Sequence, residues 1–216
     1  MTEKERLEVR ERIAKTYLVP VVVLDDAKRA VDTVKALAAG GVDIAEITLR
    51  TEAGLAAIEA ARKGAPDVIV GAGTVVTSVQ CRESIEAGAQ FVVSPGLDKN
   101  IVECARVMGV PVFPGCVTPT EIMVAIDLGL KVVKFFPANV YGGIKAIKAL
   151  AGPFPKIKFI PTGGVDLSNL ADYIDDSIYA VGGGWLCDKK AVNSGDYAAL
   201  TKAAADSVAV LRSHGR

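Results

Sequence analysis

The run Val132-Val133-Lys134-Phe135-Phe136 sets one lysine among four apolar residues. A strand of that composition is buried on both faces, so the ammonium must shed its proton, meet a carboxylate, or snorkel to water along its own stem. The first outcome makes a nucleophilic amine, suited to carbonyl addition and imine formation. The other two are structural, and the lysine alone does not choose among the three. Lys131, Lys156 and Lys158 begin strands or lie in loops, where snorkelling suffices.

In Ile44-Ala45-Glu46-Ile47-Thr48-Leu49-Arg50 successive residues face opposite ways. Ala45, Ile47 and Leu49 form an apolar side that helices can cover, which leaves Ile44, Glu46, Thr48 and Arg50 on the other. Glu46 and Arg50 then line an interior or its mouth; a buried ion pair or a solvated strand end is the plainer reading. Thr74 shares parity with Val70 and Ala72 and is expected to aim its hydroxyl at the same mouth, while Pro95 follows the fourth strand and Thr162 closes the seventh. Two glycine-rich turns, Thr162-Gly163-Gly164-Val165 and Val181-Gly182-Gly183-Gly184-Trp185, follow the last two strands. Tight turns use glycine for its backbone freedom alone, but at this position exposed N–H groups receive an anion such as phosphate. An amine for a carbonyl, an arginine for a carboxylate, a glutamate for proton transfer and a phosphate cradle together suit covalent imine chemistry on a keto acid.

The elements that must position these residues alternate along the chain. Strands are predicted at 18–23, 44–49, 68–73, 91–94, 112–116, 132–135, 158–162 and 178–181. Helices are predicted near 26–39, 52–63, 78–87, 98–107, 119–128, 143–150, 168–174 and 196–212, with Gly40, Gly64, Gly88, Gly109 and Gly129 following as C-terminal caps. Eight such pairs imply an α/β fold, a (β/α)8 TIM barrel, although about 200 to 250 residues is the usual requirement, so the loops must be short. No G-x-G-x-x-G turn follows the first strand, where Leu24-Asp25-Asp26 stands, so an open dinucleotide-binding sheet is disfavoured. Residues 1–17 read as an extra charged helix over the barrel bottom, and residues 1–216 as a single domain.

Composition excludes several classes. Twenty-five basic and 25 acidic side chains give no net charge, and no run of five or six like charges appears, so a nucleic-acid surface is not expected. No stretch approaches the roughly 18 apolar residues of a membrane span, and a charged beginning is unlike a signal peptide, so a cytoplasmic protein is expected. Cys81, Cys104, Cys116 and Cys187 are widely spaced and read as reduced thiols. The one histidine, His214, lies at the C-terminal end, which disfavours a Ser-His-Asp triad and a His-ligated zinc; no metal or organic cofactor is expected.

Seven segments in order carry a resemblance: Ile44 to Arg50, Gly71-Ala72-Gly73-Thr74-Val75, Val93-Ser94-Pro95-Gly96, Pro114-Gly115, Val133-Lys134-Phe135-Phe136-Pro137-Ala138, Phe159-Ile160-Pro161-Thr162-Gly163-Gly164 and Gly183-Gly184-Trp185-Leu186. On these the chain, from about Tyr17 to Leu211, resembles the class I 2-keto-3-deoxy-6-phosphogluconate (KDPG) aldolases, a family that includes 4-hydroxy-2-oxoglutarate (KHG) aldolases. The resemblance implies that Lys134 forms a Schiff base and Glu46 is the general acid/base, acting through a water. It further implies that Arg50 and Thr74 hold the substrate carboxylate, that Pro95 and Phe136 wall the pyruvyl carbons, and that Thr162 lies near the substrate hydroxyls. Phosphate would rest on Gly163, Gly164 and the backbone around Gly184, and the assembly would be a homotrimer.

One position departs from the pattern. The family commonly carries serine where Gly184 stands, and losing that charge-assisted hydrogen bond should cost about 1.5 to 3 kcal/mol of phosphate binding. A cleavage of KDPG to pyruvate and glyceraldehyde 3-phosphate is therefore set beside cleavage of KHG to pyruvate and glyoxylate, or a bifunctional enzyme. The reading from a different class is a non-catalytic phosphosugar-binding barrel in which Lys134 is merely paired with Glu46.

Overall fold

The computed structural model describes residues 1–216. Helix α1 (Glu3–Thr16) opens with a capping box in which Thr2 accepts from the Glu5 N–H and the Glu5 side chain returns to the Thr2 N–H. Strands and helices then alternate: β1 (Leu18–Val22), α2 (Ala30–Ala39), β2 (Ile44–Thr48), α3 (Gly54–Gly64), β3 (Ile69–Gly73) and α4 (Ser78–Glu86). The order continues with β4 (Val92–Ser94), α5 (Lys99–Val107), β5 (Val112–Pro114), α6 (Pro119–Asp127), β6 (Val132–Phe135) and α7 (Gly143–Ala151). It closes with β7 (Lys158–Pro161), β8 (Val181–Gly183), α8 (Lys189–Ser194) and α9 (Tyr197–Ser213). No helix is long and apolar enough to cross a membrane.

All pairings are parallel, as crossover helices require. Six strands form a curled sheet in the order β5-β4-β3-β2-β1-β8, and β6 pairs separately with β7. Single bridges, Gly115 to Lys134 on one side and Phe159 to Ile178 and Thr162 to Gly182 on the other, lie between the two ladders. Eight strands in one continuous ladder were expected. The ladder thins where β5 ends at Pro114, which has no N–H to donate, and where β8 is only three residues long.

Two apolar clusters sort the strand faces. The larger, of 47 buried residues, includes Ala45, Ile47, Val70, Ala72, Val133, Phe135, Phe159 and Val181 and is packed beneath the helices. The smaller, of 11, lines the concave face with Val19, Ile44, Ile69, Phe91, Phe113, Val132, Ile160 and Ala180, and α1 adds Val9 and Ile13 to it. The N-terminal helix therefore closes the lower end of the concave face, as its position before the first strand suggested.

Seven strands lie within two residues of their predicted limits. The eighth does not: expected at 178–181, it is found at Val181–Gly183, because Gly182 and Gly183 read as a turn yet pair with Val19 and Pro20. The helix expected at 168–174 is a single 3-10 turn, Leu170–Tyr173, and the one expected from residue 26 begins with another, Ala27–Arg29, before α2. Helix α8, capped by Asp188, was not anticipated after the glycine run.

Candidate active site

On the concave face, residues two positions beyond the apolar layer change character together. Ile44 is followed by Glu46, Val132 by Lys134, Ile160 by Thr162, Ile69 by Gly71, Phe113 by Gly115 and Ala180 by Gly182. Strand alternation keeps each pair on one face, so this upper layer, at the C-terminal ends of the strands, combines polar groups with glycines that make room for them. The largest cavity, about 700 Å³, lies at the opposite end against α1. Its lining mixes Glu5, Glu8, Glu59 and Glu86 with Arg12, Arg62 and Lys63, and it holds no buried nucleophile.

Lys134 and Glu46, 88 residues apart in sequence, meet in that layer with Nζ 3.3 Å from Oε1. The lysine is 4% exposed and the glutamate 2%, so neither is solvated and each is the other's counter-charge. The pair is held by backbone on both sides: the Cys116 N–H donates to the Lys134 carbonyl at 2.9 Å, and Glu46 is in register with Val21 of β1 and Gly71 of β3. The Lys134 ammonium also lies 5.3 Å from the centre of the Phe136 ring, which walls that side of the nitrogen.

Space for the Glu46 carboxylate is made by Gly73. A Cβ there would run into Oε1, with Cδ at 2.7 Å, so any larger residue would displace the carboxylate. The same device recurs at Gly182, where a Cβ would strike the Thr162 hydroxyl, and Thr162 is buried. In the sequence both glycines read only as strand or turn residues; the packing shows what they admit.

Arg50 and Thr74 meet at the exposed rim, with Nε donating to Oγ1 at 3.1 Å. Parity with Val70 and Ala72 does not carry Thr74 to the mouth, because Val70 and Ala72 face the helices and the concave residues of β3 are Ile69, Gly71 and Gly73. Thr74 reaches Arg50 because its backbone turns left-handed, φ 58°, which redirects the side chain after the strand ends. A β-branched residue in that region carries local strain of about 1 to 3 kcal/mol. Pro95 stands at the rim as well, its carbonyl in such close approach to Gly115 that a Cβ there would collide with it.

The two glycine turns offer unpaired donors. Gly163 and Gly164 take φ of 92° and 76°, and neither their N–H groups nor that of Gly184 donates within the chain. The Asn169 side chain fixes the first turn by donating to the Gly164 carbonyl at 2.9 Å, and Trp185 anchors the second through Nε1 to Ser207 at 3.1 Å. Unpaired backbone N–H groups suit an anion. The start of α8 does not compete for it, since the Asp188 carboxylate already accepts from the N–H groups of Lys190 and Ala191.

The profile of the KDPG and KHG aldolase family matches residues 9–203. The chain belongs to that family. It is an aldolase, a carbon–carbon lyase. A KHG/KDPG aldolase of Escherichia coli strain K12 is 46% identical over 192 residues, covering 88% of this chain and 90% of its own. A 2-dehydro-3-deoxy-phosphogluconate aldolase of Dickeya dadantii is 47% identical over 193 residues, 89% of this chain and 91% of its own. Among solved structures, the KDPG aldolase of Legionella pneumophila, with pyruvate captured as a covalent carbinolamine, is 34% identical with a TM-score of 0.87, covering 91% of this chain and 96% of that one. The KDPG aldolase of Zymomonas mobilis with 3-phosphoglycerate is 36% identical with a TM-score of 0.84, covering 93% and 94%.

Proposed function

We propose that this aldolase cleaves KDPG to pyruvate and glyceraldehyde 3-phosphate through a Schiff base on Lys134. The observation that carries the assignment is the buried Lys134–Glu46 pair, 3.3 Å apart, at the C-terminal end of the concave face. Glu46 takes the proton of the Lys134 ammonium, the freed amine adds to C2 of the keto acid, and Glu46 returns that proton to the carbinolamine hydroxyl, which leaves as water to give an iminium. That iminium accepts the electron pair of the C3–C4 bond as Glu46 takes the C4 hydroxyl proton. The aldehyde leaves, C3 of the enamine is reprotonated, and water releases pyruvate and regenerates the lysine. The carbinolamine trapped with pyruvate in the Legionella enzyme supports the first step.

Arg50, with Thr74 on its Nε, holds the substrate carboxylate; Phe136 and Pro95 wall the pyruvyl carbons; Thr162 meets the substrate hydroxyls. The terminal phosphate rests on the N–H groups of Gly163, Gly164 and Gly184, a role supported by their lack of partners within the chain. A second reading, KHG cleavage, is favoured by Gly184 itself, which offers a phosphate no side-chain donor. The scaffold is read as a closed (β/α)8 barrel of one domain over residues 1–216, supported by the single bridges between the two ladders. A homotrimer is supported by the exposed apolar side chains of Val79, Val107, Met123 and Ile126 on α4, α5 and α6. A cytoplasmic setting is supported by four cysteines that all remain free.

Borohydride reduction in the presence of pyruvate tests the assignment: one reduced pyruvyl group should be found, by peptide mass mapping, on Lys134. A label on any other lysine refutes it. Comparing kcat/KM for KDPG and KHG then separates the two substrates.

A further inference from the structure

We propose that Thr48 is a positioning residue that holds the Glu46 carboxyl once Lys134 has been consumed in the Schiff base; the inference rests on the aldolase reading above. On β2, Ile44 belongs to the concave cluster while Ala45 and Ile47 belong to the helix-side cluster, so Thr48 shares the face of Glu46. It is fully buried, and its Oγ1 has no hydrogen-bond partner. A buried hydroxyl in that state lowers the stability of the free enzyme, and valine has almost the same shape without it.

The position of the carboxyl says what the hydroxyl is for. Glu46 does not reach straight across from its own level of the sheet: its Cγ and Cδ lie where a Cβ of Gly73 would be, and Gly73 is the cross-strand partner of Thr48. The carboxyl has therefore risen one pleat, to the level of the Thr48 hydroxyl, on the same concave face. In the free enzyme its partner is the Lys134 ammonium. Once that nitrogen is bonded to substrate C2, its geometry is dictated by the iminium, and the carboxyl needs another donor while it moves protons at C3 and C4. Arg50 is engaged at the rim with Thr74. The Thr48 hydroxyl is the unengaged donor on the face, and it donates to Glu46 in the covalent intermediate.

A structural role and a positioning role predict opposite patterns. In wild type, Thr48→Val, Thr48→Ala and Thr48→Ser, three quantities are measured: Tm, the extent of pyruvate trapping by borohydride, and the exchange of pyruvate C3 hydrogens in D2O followed by NMR. Thr48→Val should keep its Tm and its trapping but exchange about 10- to 100-fold more slowly, and kcat for cleavage should fall with it. Thr48→Ala supplies a second hydroxyl-free side chain should valine pack poorly, and it should show the same slow exchange with intact trapping. Thr48→Ser should return exchange to within a few-fold of wild type. Wild-type exchange in both hydroxyl-free variants overturns the proposal, as does slow exchange in all three that tracks a fall in Tm. Failure of the wild type to trap pyruvate on Lys134 would instead overturn the Schiff-base reading, and this one with it.

Discussion

Gly73→Ala tests the geometry of the site without touching a reacting group. Gly73 is not among the glycines with positive φ, so alanine is free to adopt its backbone, and the whole effect comes from one methyl group. That methyl would sit 2.5 Å from Glu46 Cγ and closer still to Oε1, where ordinary contact begins at 3.4 Å, so the side chain must shift by about 0.9 Å or more. The Lys134–Glu46 separation of 3.3 Å leaves no slack: the carboxyl is pressed against the amine or driven off it. Misplacement of a reacting group by about 1 Å costs on the order of 100-fold in rate, and overpacking of this kind costs about 1 to 3 kcal/mol of stability. At about 2 to 4 °C per kcal/mol for a chain of this length, Tm should fall by about 2 to 12 °C. The assay is kcat on KDPG together with calorimetric Tm, with Gly96→Ala as control, because a Cβ at Gly96 meets nothing within 4 Å. A Gly73→Ala enzyme with wild-type kcat and Tm would show that Glu46 does not depend on the space beside β3, and the account of the site would fail.

Gly184→Ser adds a hydroxyl where a Cβ meets nothing within 4 Å, so it should leave Tm unchanged and raise kcat/KM for KDPG by about 10- to 100-fold, with no gain on KHG; an equal gain on both substrates would place the phosphate elsewhere. Thr74→Gly should release the strain of the left-handed backbone and, after the extra chain entropy of glycine, stabilise the protein by about 1 kcal/mol, while KM for pyruvate in the exchange reaction rises as Arg50 loses its partner. A loss of stability measured by urea titration would show that the turn is not strained. Burial pushes the thiols of Cys81, Cys116 and Cys187 up to about 12, so almost no thiolate forms at pH 8 in the folded state. Iodoacetamide should therefore reach half-buried Cys104 first and the other three only on unfolding, and rapid native labelling of Cys187 would contradict its burial.

Much of this protein was legible along the chain because its strands are short, separate and patterned. The alternation in β2 correctly put Glu46 opposite Ala45 and Ile47, and the apolar surroundings of Lys134 correctly put it in a buried strand. Where the pattern was silent, the reason is physical. Glycine carries no periodicity signal, so β8 was displaced into the preceding segment and the pairing of Gly182 and Gly183 with β1 was missed. Thr74 lies one residue past the end of β3, where alternation no longer governs direction and a left-handed φ turns the side chain back to Arg50.

Element order, face assignment and the candidate reactive side chains were determined by sequence alone, because hydrophobic burial imposes a period on strands and helices that needs no knowledge of distant residues. Only the tertiary structure decided that Lys134 meets Glu46 across 88 residues, that the space at Gly73 is filled by the Glu46 carboxylate, and that the Thr48 hydroxyl is buried without a partner. Those facts depend on register and curl between strands that are not neighbours in the chain, and steric contact at ångström scale leaves no trace in the pattern of any single strand.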